Sequence, residues 1–313
     1  MNWIKQRVDL GYFPTPVFDA ARLRAGLWIK DDGCCHQLVA GNKVRKLEYL
    51  LAQGPGPVAT MGAVGSHHIL ATAVHGARLG RSVTAVVFGR PFDLHAAEVL
   101  RATLPLASLE MARNHTEASK KLRRLAGQST VIPAGGSSVI GVLGFVAAGL
   151  ELAQQIRRGL CPEPRKCYVP LGTAGTAVGL ALGFRAAGLE TRVIGVRVVP
   201  EAWLTLQQVE QLAKETSRFA QIEYVIPEID NRFLGAGYGH VTAMAKRSVA
   251  LAIGSGLSLE GTYTGKALAA ALDDNGGPDL YWQTHSTQSL EPLLAGAPAL
   301  RHEQWGWTSG VRT

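Results

Sequence analysis

The stretch Gly41-Asn42-Lys43-Val44-Arg45-Lys46-Leu47-Glu48 crowds three cations onto the start of a predicted helix. Val44, Leu47, Leu50 and Leu51 recur at helical spacing and give that helix an apolar face. Asn42 is the expected N-cap. A helix N-terminus carries partial positive charge, so cations are disfavoured there. Three explanations fit. An anion sits at the helix start, or one lysine is not an ordinary ammonium, or the segment is a solvated basic face. A lysine of depressed pKa can attack a carbonyl and form a Schiff base.

A second stretch, Leu171-Gly172-Thr173-Ala174-Gly175-Thr176-Ala177-Val178-Gly179, follows the apolar run 167–170 and opens a helix. Glycines permit close approach, converging backbone N–H groups attract an anion, and Thr173 and Thr176 add hydroxyl donors. No Gly-Lys-Ser/Thr follows, and no G-x-G-x-x-G occurs, so a phosphate ligand is favoured over ATP or NAD. A tight strand-to-helix turn is the competing explanation. Gly62-Ala63-Val64-Gly65-Ser66-His67-His68 marks another strand-to-helix junction, the kind of place where open α/β sheets bind ligands. Ser66 and His67 are candidates to face a ligand there, although Ser66 is also a good N-cap. Neither His67 nor His68 has a histidine four residues on, so spacing gives no metal site. Tyr238 and Tyr263 each lie in a glycine-containing segment and could move protons. Half-buried loop anchors are the commoner use of such tyrosines, as a strand-end structural role is for His285.

The elements that must position these residues alternate. Strands are expected at 27–29, 58–61, 82–88, 130–132, 167–170, 192–199 and 280–283. Helices are expected at 67–79, 93–101, 139–155, 178–187, 202–219, 241–253 and 265–274. That order predicts parallel sheets covered by helices on both faces. The polar, proline-bearing segment 157–166 is the best candidate domain linker. With 313 residues, 47% hydrophobic and 18% charged, the chain reads as globular, in one large or two medium domains. Net charge is +8, yet no basic run reaches five residues, which argues against nucleic acid. Cys34, Cys35, Cys161 and Cys167 match neither a zinc nor a disulfide framework, and a reduced cytoplasmic protein is the default expectation. No signal core stands at the N-terminus, and no apolar run is expected to span a bilayer.

Taken together, an early lysine at a helix start and a later phosphate-type loop suggest a phosphorylated aldehyde held as a Schiff base. Pyridoxal 5'-phosphate (PLP) fits that description. Here the residues resemble a known family, the PLP-dependent aminocyclopropane-carboxylate deaminases and D-cysteine desulfhydrases, within the tryptophan synthase β-subunit fold. The 41–48 stretch is similar almost residue for residue. So are Thr15-Pro16-Val17 with 27–32, Gly135-Gly136-Ser137 with Leu143-Gly144-Phe145, Gly237-Tyr238-Gly239, and Tyr263-Thr264-Gly265-Lys266.

The resemblance implies an α/β, parallel-sheet-rich, three-layer αβα architecture of PLP fold type II in two domains. These are a small one over 46–152 and a large cofactor-binding one from 1–45 plus 153–313. It implies that Lys43 carries PLP and moves protons at the substrate's α-carbon. Gly172, Thr173, Ala174, Gly175 and Thr176, helped by Lys46, would hold the phosphate. Ser66 would contact the substrate carboxylate or act in proton transfer, and Tyr238 and Tyr263 would lie near the reacting carbon. Thr264 would face the pyridine nitrogen, where a hydroxyl in place of the glutamate of ring-opening members favours β-elimination. The implied reaction is a lyase or deaminase step on a small amino acid, D-cysteine desulfhydrase-like. Ring opening, β- or γ-replacement and a non-catalytic PLP-binding relative are the alternatives, and a homodimer is expected. Two departures stand out. His67 replaces the asparagine expected to bond the cofactor's phenolic oxygen, and Thr287-Gln288 replaces a Gly-Gly expected at the pocket.

Overall fold

The computed structural model describes residues 2–89 and 94–300. Ten strands are present among them: β1 (Val17–Asp19), β2 (Leu27–Asp31), β3 (Val58–Ala63), β4 (Val83–Phe88), β5 (Ser108–Ala112), β6 (Thr130–Ile132), β7 (Lys166–Leu171), β8 (Arg192–Arg197), β9 (Glu228–Asp230) and β10 (Asp279–Gln283). The α-helices are α1 (Asn42–Leu50), α2 (His67–Arg78), α3 (Leu94–Thr103), α4 (His115–Arg124), α5 (Val139–Arg157), α6 (Gly175–Ala187), α7 (Leu206–Ala220), α8 (Ala243–Ile253), α9 (Thr264–Asp273) and α10 (Glu291–Leu294).

Two sheets result. The larger runs β1-β2-β10-β7-β8-β9 and the smaller β5-β4-β3-β6. Every pairing is parallel except β1 with β2. The central strands β3 and β10 are buried along their whole length, as parallel strands covered on both faces must be. The elements that lacked a sequence expectation are β1, β5, β9, α4 and the one-turn α10. The three strands sit at sheet edges, and such short, partly polar strands carry little apolar pattern.

Several boundaries move, each for a visible reason. The helix expected from 178 begins at Gly175, and the one expected from 202 begins at Leu206 behind a Thr205–Gln208 capping box. The first residue of the helix expected over 93–101, Asp93, lies outside the described residues, and the described helix begins at Leu94. Gly41 rather than Asn42 is the N-cap of α1, at φ +91°, where a Cβ would stand 2.6 Å from the Thr284 carbonyl oxygen.

The expectation that no apolar run could span a bilayer is corrected by α5, which is long and apolar enough by length and composition. Its apolar residues serve a core instead. Val142, Phe145, Val146 and Leu152 are buried, and glycines let α5 and α6 approach closely. A Cβ on Gly179 would fall 2.4 Å from Phe145 Cβ, and one on Gly149 would fall 2.9 Å from the Gly183 backbone.

Candidate active site

The C-terminal ends of β3, β4, β7 and β10 border one cavity of about 640 Å3, where parallel α/β sheets place ligands. Lys43, Lys46, Ser66, His67, Gly172, Thr173, Ala174, Gly175, Thr176, Tyr238, Tyr263 and Thr264 all line it. Lys43 and Thr264, 221 positions apart in sequence, are thus brought to one space.

The three cations of α1 part company. Lys43 Nζ donates to Asn42 Oδ1 at 2.7 Å, and Asn42 Nδ2 donates to Thr176 Oγ1 at 3.0 Å. Burial pulls the Lys43 pKa down to about 8, with the Glu260 carboxylate pulling the other way. Arg45 turns into the core, bonded to Asp32 and Glu151. Lys46 is almost fully buried. Its Nζ donates to the Gly135 carbonyl at 3.1 Å and to Ser137 Oγ at 3.2 Å, and burial, seconded by Lys43, holds its pKa well below the lysine range. The charge at the helix start is therefore not a solvated face.

Lys46 and Ser137 meet the N-terminus of α6. The Gly175 N–H donates to Ser137 Oγ at 3.2 Å, and Ser137 Oγ shares a hydrogen bond of 2.7 Å with Thr173 Oγ1. Ala174 takes a left-handed backbone, φ +63°, which aims the loop into the helix. A Cβ on Gly175 would lie 2.5 Å from Ser137 Oγ and 2.9 Å from Lys46 Nζ, so only glycine leaves this cradle open. The Lys46 side-chain nitrogen, a helix N-terminus and two hydroxyls converge there, donors that suit an anion.

On the opposite wall, Ser66 caps α2 by accepting from the His68 N–H at 3.2 Å, and it lines the cavity as well. His68 also lines the cavity; its ring is buried against Thr60, and burial, seconded by Lys43 and Lys46, lowers its pKa to about 3. His67 faces His95, with Nε2 atoms 2.6 Å apart, and packs edge-on to His285 at 4.9 Å between ring centroids. Spacing gave no metal site, but the ring nitrogens of these three histidines lie within 4.8 Å of one another. Each comes from a different element, which no i,i+4 pattern can reveal. His285 is thus a cavity residue rather than only a strand-end one.

Tyr263 donates its hydroxyl proton to Tyr238 at 2.9 Å, and Phe88, His115 and Trp203 extend an aromatic wall from that pair. Lys266 fixes the Tyr238 loop by donating to the Leu234 carbonyl at 2.7 Å. Thr264 Oγ1 is engaged with Glu260, 3.1 Å from Oε1, and Glu260 also accepts the N–H groups of Thr262, Tyr263 and Thr264. Glu260 and His95 carried no sequence expectation, and Asn42 and Ser137, read as an N-cap and as part of a motif, carried none as site residues. A carboxylate four residues before Thr264, at a helix start, was the signal for Glu260. Thr287, expected at the pocket, is not: its Oγ1 donates to the Gly33 carbonyl at 2.8 Å, and neither it nor Gln288 is among the lining residues.

Two mostly parallel sheets feeding one cavity, with a lysine on one wall and a glycine-threonine cradle beside it, define the fold type II class of pyridoxal-phosphate proteins. The chain belongs to the pyridoxal-phosphate dependent enzyme family, whose model matches residues 8–279. It is 31% identical to a D-cysteine desulfhydrase of Serratia proteamaculans, over 94% of each chain. It is 30% identical to a proposed 1-aminocyclopropane-1-carboxylate deaminase of Pyrococcus furiosus, over 85% of this chain and 86% of that one. A crystal structure of an ACC deaminase homologue superposes with a TM-score of 0.81 at 26% identity, covering 92% of this chain and 95% of the other. Within the family, the chain is an enzyme of the ACC deaminase and D-cysteine desulfhydrase group.

Proposed function

We propose that this enzyme removes the α-proton of a small amino acid and expels a β-substituent, as a D-cysteine desulfhydrase-like lyase. The observation that carries the proposal is the pairing of Lys43, an amine of lowered pKa in the cavity, with the Lys46–Ser137–Thr173–Gly175 cradle beside it. That pairing fits a phosphorylated aldehyde: Lys43 would hold its carbon, and Lys46 with residues 172–176 its phosphate. PLP, when bound, supplies an electron sink for negative charge at the α-carbon.

Each side chain then has a task. Lys43, neutral in a useful fraction near pH 8, takes the α-proton. Ser66 and the N-terminus of α2 meet the substrate carboxylate. The Tyr263–Tyr238 pair can pass a proton to a departing group. Thr264 would serve the cofactor's ring nitrogen and His67 its phenolic oxygen, as the family resemblance implies. A hydroxyl at the ring nitrogen stabilises a pyridinium less than a carboxylate does, which favours elimination. The Glu260 carboxylate, 3.1 Å from Thr264 Oγ1, supports a second reading, ring opening of an aminocyclopropane carboxylate, because it sets negative charge behind that hydroxyl. The protein is further proposed to be a cytoplasmic homodimer.

The deciding experiment is 2-oxo acid release from D-cysteine, β-chloroalanine and aminocyclopropane carboxylate. Pyruvate from the first two supports elimination. Product from the cyclopropane alone selects ring opening, and a bound cofactor with no turnover on any of them defeats both. The cradle makes its own prediction. Lys46→Met should weaken PLP binding by about 1.5–3 kcal/mol, roughly ten- to a hundredfold, as loss of a hydrogen bond to a charged group does. Cofactor titration of the apoprotein measures it, and an unchanged affinity would remove Lys46 from the phosphate site.

A further inference from the structure

His67 and His95 stand at the starts of α2 and α3, on the smaller sheet's helices, whereas His285 follows β10 of the larger sheet. The backbone forces the first two together. Gly65, at φ +72°, lets α3 come so close that a Cβ there would lie 2.6 Å from Ala96, the neighbour of His95. The His67 and His95 rings stack at 4.9 Å between centroids, and His285 lies edge-on to both, at 4.9 and 6.0 Å. From this arrangement we infer that His67, His95 and His285 form a binding site for one divalent transition-metal ion of the zinc class, bridging the two sheets across the mouth of the cavity.

Three features support the choice of ligand. Three imidazoles with an open fourth position suit zinc, copper, nickel or cobalt, not magnesium or calcium. Bonds of about 2.0–2.1 Å put tetrahedral ligand nitrogens roughly 3.4 Å apart, within the 4.8 Å spread of these atoms. Small ring rotations would therefore open the 2.6 Å His67–His95 contact and draw His285 in. Finally, the Glu98 carboxylate stands 3.8 Å from the other nitrogen of His95, Nδ1, longer than a hydrogen bond but near enough to accept that N–H after a small rotation. Ligand histidines commonly give their second ring N–H to such an acceptor. Each neutral ring keeps one proton on the outer nitrogen and gives the ion the inner lone pair.

The site uses only side chains of this chain and does not rest on Lys43 carrying a cofactor, so the two readings fail separately. The test uses EDTA-treated protein carrying Cys34→Ser, because Cys34 is an exposed thiol that could bind metal on its own. Titration with Co2+ is expected to saturate at one ion per chain, with the strong visible absorption of a four-coordinate site, and Zn2+ should displace it. His95→Ala and His285→Ala should each weaken Co2+ binding by roughly tenfold or more, whereas His115→Ala, elsewhere on the cavity wall, should not. Zn2+ should raise the thermal midpoint of the parent protein but not of His95→Ala. His95 is partly exposed and its replacement is not expected to impair folding, so this variant decides the matter if His285→Ala misfolds. No visible band, or a titration unchanged by His95→Ala, would overturn the site.

Discussion

Lys43→Ala protein is expected to be colourless, to resist borohydride fixation of PLP, and to lose turnover by about 10²–10⁴-fold or more, the range that a general base supplies. The expectation rests on where the amine is. Lys43 Nζ lies in the cavity beside Asn42, and Asn42 ties it to Thr176 of the cradle loop. Burial lowers its pKa to about 8, and Glu260 limits the fall. The direction in pH follows. The neutral amine is the nucleophile, so cofactor capture by the apoprotein should quicken about tenfold per pH unit below 8 and level off above it. Glu260→Gln removes the influence that raises this pKa, so the inflection should move to lower pH. Stopped-flow absorbance of PLP mixing across a pH series measures both. A Lys43→Ala protein that still captures PLP in borohydride-reducible form would sink the assignment, and a pH-independent capture rate would sink its explanation.

The central parallel strands and the lysine helix were legible in the sequence because their signals are local. Val44, Leu47 and Leu50 pattern one face, and β3, β7 and β10 are short apolar runs before glycine or threonine. What escaped was non-local. Nothing around position 95 points to positions 67 or 285, yet close packing behind Gly65 and the loop after β10 bring the three rings together. Glu260 escaped because its partners are the N–H groups of a helix start that was placed at 265 and begins at Thr264. Thr287 was placed at the pocket by the family resemblance, where Thr287-Gln288 replaces a Gly-Gly, but the chain has left strand geometry after Gln283 and the Thr287 hydroxyl turns to the Gly33 carbonyl. Arg45 looked like one of three clustered cations. Only the fold shows that α1 sends it into the core while Lys43 and Lys46 face the cavity and its cradle.

That core arginine carries the second large prediction. Asp32, fully buried, accepts from Arg45 through Nε and Nη2 at 2.8–3.0 Å, from Thr15 Oγ1 at 3.0 Å and from Trp282 Nε1 at 2.8 Å. Glu151 on α5 closes the network by accepting from Arg45 and from buried Lys30. One cluster thus ties β2, α1, α5 and β10 together beneath the lysine helix. Asp32→Ala would leave a buried guanidinium with one carboxylate partner and would orphan the Trp282 N–H. Removing one member of a buried pair costs about 3–5 kcal/mol, a large share of the roughly 5–15 kcal/mol that holds a domain folded. The urea midpoint should fall accordingly, and turnover should fall with it, because α1 loses the anchor that sets Lys43. Asp32→Asn, which keeps an acceptor for Trp282, should lose less. The acid limb checks the same network independently. Burial works to raise the Glu151 pKa, but Arg45 and Lys30 outweigh it and bring the value from 4.5 to about 2. A depressed carboxylate stabilises the fold above its unfolded pKa, so this contribution is lost as pH falls from about 4.5 towards 2. Glu151→Gln should flatten that limb. An Asp32→Ala midpoint within about 1 kcal/mol of the parent would show instead that the core tolerates an unpaired Arg45, and the anchoring role would fall with it.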